Sequence, residues 1–99
     1  MTSEASIVAA IRKYLKSIGA KTHKTHGSTL GHAGTPDILG VYTRCDGKVQ
    51  MLALEVKKPG GRLTKLQDHE LAEWAKAGAI AGRVESVEEV KKLIGEPNA

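Results

Sequence analysis

Apolar residues near the start of the chain fall at Ile7, Ile11, Leu15 and Ile18, with Val8 and Tyr14 beside them. That spacing is one face of a helix, predicted over residues 3–18. Ser3 can cap its start and Gly19 can end it in a left-handed turn. Residues 20–26 are short and polar, ambiguous between coil and an edge strand. Residues 27–34 form a loop rich in Gly, Ser, Thr and His. Two extended stretches follow, 37–42 (Asp-Ile-Leu-Gly-Val-Tyr) and 49–57, joined across Asp46-Gly47, a strong hairpin signal. On the second stretch Leu52, Leu54 and Val56 share one face, and Met51, Ala53, Glu55 and Lys57 share the other.

Pro59-Gly60-Gly61 ends that strand. Thr64-Lys65-Leu66-Gln67 has the capping-box form and predicts a helix to about Ala77, stopped by Gly78. Residues 79–84 read as a short apolar strand. Ser86-Val87-Glu88-Glu89 is a second capping box, opening a last helix through Ile94 with Gly95 past its end. Its buried stripe is Val87, Val90, Leu93 and Ile94. The order is α-(β)-β-β-α-β-α, and a helix between two strands argues for an α/β fold, a sheet with helices packed on its faces. With no repeat, low-complexity tract or long linker, residues 1–99 read as a single domain.

Composition narrows the class. The 99 residues are 40% hydrophobic but only 3% aromatic, so the core must be aliphatic. Cys45 is the only cysteine, which excludes a disulfide-stapled scaffold and fits a reducing cytosol. No apolar run approaches the ~20 residues of a membrane helix, and the first residues lack a signal-peptide core. The formal net charge of +4 is compatible with a polyanion partner without requiring one.

The informative residues are charged ones at strand ends. Asp37 follows Pro36 at the start of the first hairpin strand, while Glu55 and Lys57 lie near the end of the second, two apart and so on one side. Counting outward from Asp46-Gly47 makes Asp37 and Glu55 near cross-strand neighbours. Two carboxylates so placed repel unless a cation sits between them. A hard divalent ion takes carboxylate oxygens and water, so the pair with a nearby ammonium suits metal-assisted phosphate chemistry. Taken alone, Glu-x-Lys is ordinarily a surface ion pair, and Asp after Pro a turn residue. The register, and Glu4 one turn before Ile7 on the same helix face, favour the chemical reading.

Gly34-Thr-Pro-Asp37, followed after a hairpin by Glu55-Val-Lys57 and then by Gln67 opening a helix, resembles the PD-(D/E)xK nuclease pattern. More narrowly, it resembles the small stand-alone VRR-NUC domains of phages and bacteria, over nearly the whole chain. The resemblance implies a restriction-endonuclease-like core, a mixed β-sheet flanked by helices. It also implies Mg²⁺- or Mn²⁺-dependent cleavage of DNA phosphodiesters in the cytoplasm of a bacterium or a phage-infected cell. By the same resemblance Asp37 and Glu55 are metal-binding carboxylates, and the Val56 backbone carbonyl completes the protein ligands. Lys57 is the catalytic lysine, Glu4 the first-helix acid and a further candidate ligand, and Gln67 the glutamine after the active-site strand. A capping role explains Glu4 and Gln67 locally as well. Lys58 stands where a small residue is more usual.

Lys21, Lys24, His26, Lys58, Arg62 and Lys65 flank these positions in sequence and are read as DNA-backbone contacts. His23, His26, His32 and Cys45 lack the paired spacing of structural zinc sites. Gly27, Gly31 and Gly34 make no nucleotide-binding loop, and the loop is read as a flexible DNA-facing segment. Trp74 reads as core or subunit contact. The expectation is a metal-dependent, structure-selective endonuclease, an enzyme cutting branched DNA such as Holliday junctions as a homodimer. Its rivals are the same chemistry on flaps, nicks or duplex, and a non-catalytic DNA-binding module.

Overall fold

A computed structural model describes residues 3–25 and 33–95. Helix α1 (Glu4–Ser17) starts where Ser3 accepts a hydrogen bond from the Ser6 amide. Strands β1 (Lys21–Lys24), β2 (Ile38–Thr43) and β3 (Val49–Val56) follow, then α2 (Lys65–Lys76), β4 (Ile80–Val84) and α3 (Val87–Ile94). This is the predicted order, with the doubtful segment resolved as a strand over Lys21–Lys24. His26, Gly27, Gly31 and His32 lie outside the described residues.

The sheet order is β1-β2-β3-β4. β1 pairs β2 and β2 pairs β3 antiparallel, while β3 pairs β4 parallel. The sheet is therefore mixed, and the β3-to-β4 connection carries α2, as a parallel crossover requires. Ile7, Val8, Ile11 and Leu15 of α1 and Val90 and Ile94 of α3 pack with Ile38, Leu52, Leu54 and Val56 in one aliphatic cluster. Those β3 residues form the face read as apolar from the alternation. On the opposite face, Ala53 and Glu55 are also buried. A strand buried on both faces is a central one, and β3 lies inside the sheet.

The β2–β3 turn sets the register. Arg44 donates its amide to the Lys48 carbonyl at 2.8 Å, leaving Cys45, Asp46 and Gly47 as a three-residue loop. Gly47 sits at φ +84°, the left-handed residue that such loops require. A two-residue turn centred on Asp46-Gly47 would have put Asp37 opposite Val56. The wider loop instead pairs Ile38 with Leu54, and one further step sets Asp37 opposite Glu55. A slip of one residue would send every side chain to the other face.

Candidate active site

The end of β3 carries three of the residues singled out by sequence. Asp37 precedes β2, and its Oδ2 accepts the Val56 amide at 2.9 Å, while its own carbonyl accepts the Thr25 amide at 2.8 Å. The chain enters this position through Gly34, at φ +85°, where an added Cβ would fall 2.8 Å from Leu66 of α2. The glycine of the Gly-Thr-Pro-Asp motif thus lets the loop lie against α2 and aims Asp37 at the strand end.

Glu55 is the only charged side chain buried among the described residues, at 3% exposure. Its Oε2 lies 3.4 Å from the Gln67 amide nitrogen and 3.9 Å from Lys57 Nζ. Its Oε1 is buried with no hydrogen-bond partner among the described residues. The Glu55 carboxyl is raised from 4.5 to about 8, first by burial, then by the facing Asp37 carboxylate, which accepts a hydrogen bond only from the protonated form and repels the ionised one; Lys57 opposes the shift and Glu4 adds to it. Acceptor set against acceptor is reconciled by a proton or a cation between them.

Gln67 does two things at once. Its Oε1 accepts the Thr64 amide at 2.9 Å, and its own amide donates to Thr64 Oγ1 at 3.0 Å, the reciprocal capping box. With Oε1 so engaged, its Nε2 end is turned to Glu55. The capping role is realised, and the same side chain also reaches Glu55.

Glu4 differs from its expected setting. The stripe put it on the core-facing side, but the first turn of α1 is exposed through Ser6. Burial begins at Ile7 and Val8, so Glu4 acts on Glu55 through its charge. Among the described residues no three His, Cys, Asp or Glu side chains gather as a cation cage. The carboxylate donors present are half-buried Asp37 and buried Glu55, in a strand end whose backbone carbonyls are the remaining oxygens.

Two residues that sequence reasoning missed support Lys57. Arg83 stands opposite Glu55 in the parallel register. Its Nε donates to the Gly61 carbonyl at 3.0 Å, and its Nη1 pairs with Glu85 at 2.7 Å. A Cβ on Gly61 would sit 3.3 Å from the Lys57 Cβ, so the turn after β3 packs on the lysine stem. Only the β3–β4 pairing could have revealed this, because 28 residues separate Glu55 from Arg83.

Lys58, Arg62 and Lys65 are exposed around this end of the sheet, and half-buried Lys24 lies at the Ile38 end of β1. Lys21 pairs with Val41 and belongs to the far end of that strand. No helix of the described residues is long and apolar enough to cross a membrane.

The central strand of this mixed sheet thus ends in a buried carboxylate, a facing aspartate and a lysine, in a small α/β domain. A solved structure described as a VRR_NUC domain is similar to this chain over 99% of its length and 100% of its own, with a TM-score of 0.73 and 25% sequence identity. The chain thus has the fold of a VRR-NUC domain, as the motif order implies. No family model matches the chain, and no curated protein matches it by sequence.

Proposed function

We propose that this protein is a divalent-metal-dependent endodeoxyribonuclease that cuts branched DNA, four-way junctions foremost, as a homodimer. The observation that carries the reading is the buried Glu55, with one carboxylate oxygen unpartnered and the other shared between Gln67 and Lys57, facing Asp37. Oxygen donors of this kind fit Mg²⁺ or Mn²⁺. Asp37, Glu55 and the Val56 carbonyl would hold the ion, with Glu4 as an additional acid. When bound, the ion supplies Lewis-acid stabilisation of phosphate charge and a more acidic water.

The chain's own groups do the rest. The Val56 amide holds Asp37 in place, and Gln67 fixes the orientation of the Glu55 carboxylate. Lys57, only 14% exposed and backed by Gly61, presents an ammonium to a phosphate oxygen or to the attacking water. Lys24, Lys58, Arg62 and Lys65, with His26, supply sequence-independent backbone contacts. A 99-residue domain covers a short length of duplex, and two sites related by a two-fold axis suit a symmetric junction.

Labelled four-way junction, flap and linear duplex, each with Mg²⁺, Mn²⁺ or EDTA, test this reading beside Asp37→Ala and Lys57→Ala. We expect paired nicks in the junction and a loss of at least about 100-fold in either variant. Cleavage in EDTA, or undiminished cleavage by Asp37→Ala, sinks the metal assignment. Equal cutting of linear duplex overturns the junction preference, and binding without cutting favours a non-catalytic module. Sedimentation velocity reads the dimer.

A further inference from the structure

A cavity of about 400 Å³ lies between the second half of α1 and the start of β1, lined by Arg12, Lys13, Lys16, Ala20, Lys21 and Thr22. Four of its six lining residues are cations and none is acidic. Arg12 is anchored there, its Nε donating to Thr22 Oγ1 at 3.2 Å and its Nη2 to the Thr22 carbonyl at 3.4 Å. Lys13, Lys16 and Lys21 are exposed. From Ala5 to Pro36 the sequence holds five Lys or Arg residues and no Asp or Glu. Among the described residues Arg44, Lys57, Arg83 and Lys91 pair with carboxylates, while the cavity's cations, like several exposed lysines elsewhere, do not. What sets these four apart is that they converge on one concavity with no acid in its lining. The helix dipole accounts for Lys16 in the last turn of α1, but not for the other three. Like charges massed without counter-charge repel one another and attract a polyanion.

We propose that this cavity is a second phosphodiester-backbone site, gripping the DNA away from the scissile phosphate and without regard to sequence. The proposal rests on the nuclease reading for its substrate. None of the lining residues is aromatic, so nothing there stacks a base, which favours a strand's backbone over a free nucleotide. Spacing supports the same ligand. Lys16 lies twelve residues along α1 from Glu4, about 18 Å by helical rise. Lys21 lies four residues before Thr25, whose amide holds the Asp37 carbonyl, about 13 Å along a strand. Half a turn of duplex is about 17 Å. These lengths along α1 and β1 are of the order of half a turn of duplex, the scale on which one DNA molecule can touch both regions.

The test is equilibrium binding of four-way junction and of duplex in EDTA, over a range of salt, so that cleavage plays no part. The variant is Lys13→Ala/Lys16→Ala/Lys21→Ala, with a charge control, Lys48→Ala/Lys76→Ala/Lys92→Ala, exposed elsewhere on the molecule. Each lost phosphate contact lowers the slope of log K against log salt by about 0.9. We expect the cavity variant to lose about 2 to 3 from the slope and roughly 10-fold or more in affinity near 0.1 M salt, and the control far less. An unchanged slope, or equal losses in both variants, overturns the proposal. Thermal melting verifies folding, and the three Lys→Gln substitutions replace the Ala set if it melts early. Wild-type protein that binds in this way but does not cut with Mg²⁺ sinks the nuclease reading and leaves the cavity assignment standing. Wild-type cleavage with an unchanged slope in the cavity variant does the reverse, and wild-type protein that binds no DNA overturns both.

Discussion

Glu55 gathers opposing demands in one side chain. Its burial stabilises the protonated form, and its raised value of about 8 makes a cation a competitor of a proton. Below about pH 8, binding a divalent ion must release that proton, so affinity rises with pH and levels off above it. Titration calorimetry in buffers of different ionisation enthalpy should show proton release near pH 7. The sign for stability runs the other way. A carboxyl whose folded value is raised stabilises the fold below its unfolded value, and that contribution is lost as pH rises from 4.5 through about 8. The metal-free protein should therefore melt lower at pH 8.5 than at pH 6. Glu55→Gln should flatten this dependence, raise Tm at pH 8.5 by ~5 °C or more, and abolish cleavage. Gln67 separates differently. Gln67→Glu keeps a residue able to close the capping box but removes the donor to Glu55. The new carboxylate beside Glu55 should lower Tm of the metal-free protein more at pH 8.5 than at pH 6, and lower the cleavage rate by about 10-fold or more.

At the scale of elements, the site is a matter of pairing. The two carboxylates were legible in the sequence because both belong to one hairpin, whose residues can be counted outward from Asp46-Gly47. The three-residue loop, rather than a two-residue turn, fixed which of Glu55 and Val56 Asp37 would face. Elements brought together over longer separations were not legible. Arg83 reaches the turn behind Lys57 only because β4 lies parallel to β3, and nothing in its neighbourhood in sequence marks it. Arg83→Ala should lower kcat about 10-fold or more with a small change in KM, because it loosens the lysine's support and not the DNA contacts. Arg83→Lys should restore little, since one ammonium cannot span Gly61 and Glu85 as the guanidinium does. Glu4 was misplaced by extending the α1 stripe one turn too far. Periodicity gives the phase of a helix face but not the point at which the helix leaves the core.

Across the whole molecule, charge is unevenly distributed. The α1–β1 region is free of acids after Glu4, whereas α2 and α3 carry Asp68, Glu70, Glu73, Glu88 and Glu89. A net charge of +4 understates this asymmetry, which is why composition alone said little about a nucleic-acid partner. Of the α1–β1 cations, Lys21 lies toward the Val41 end of the sheet and Lys24 at the Ile38 end, beside the carboxylates.

The single-hairpin origin of Asp37 and Glu55 also bears on how the chain folds. The pair is joined by a contact of 18 residues' separation, short beside the β3–β4 pairing, so it can form before the helices dock. A cation that bridges it stabilises whatever transition state already contains the hairpin. Stopped-flow refolding with and without Mg²⁺ should then show the ion mainly quickening the folding limb, with little slowing of unfolding. Metal loading would in that case belong to the birth of the structure as much as to its working life.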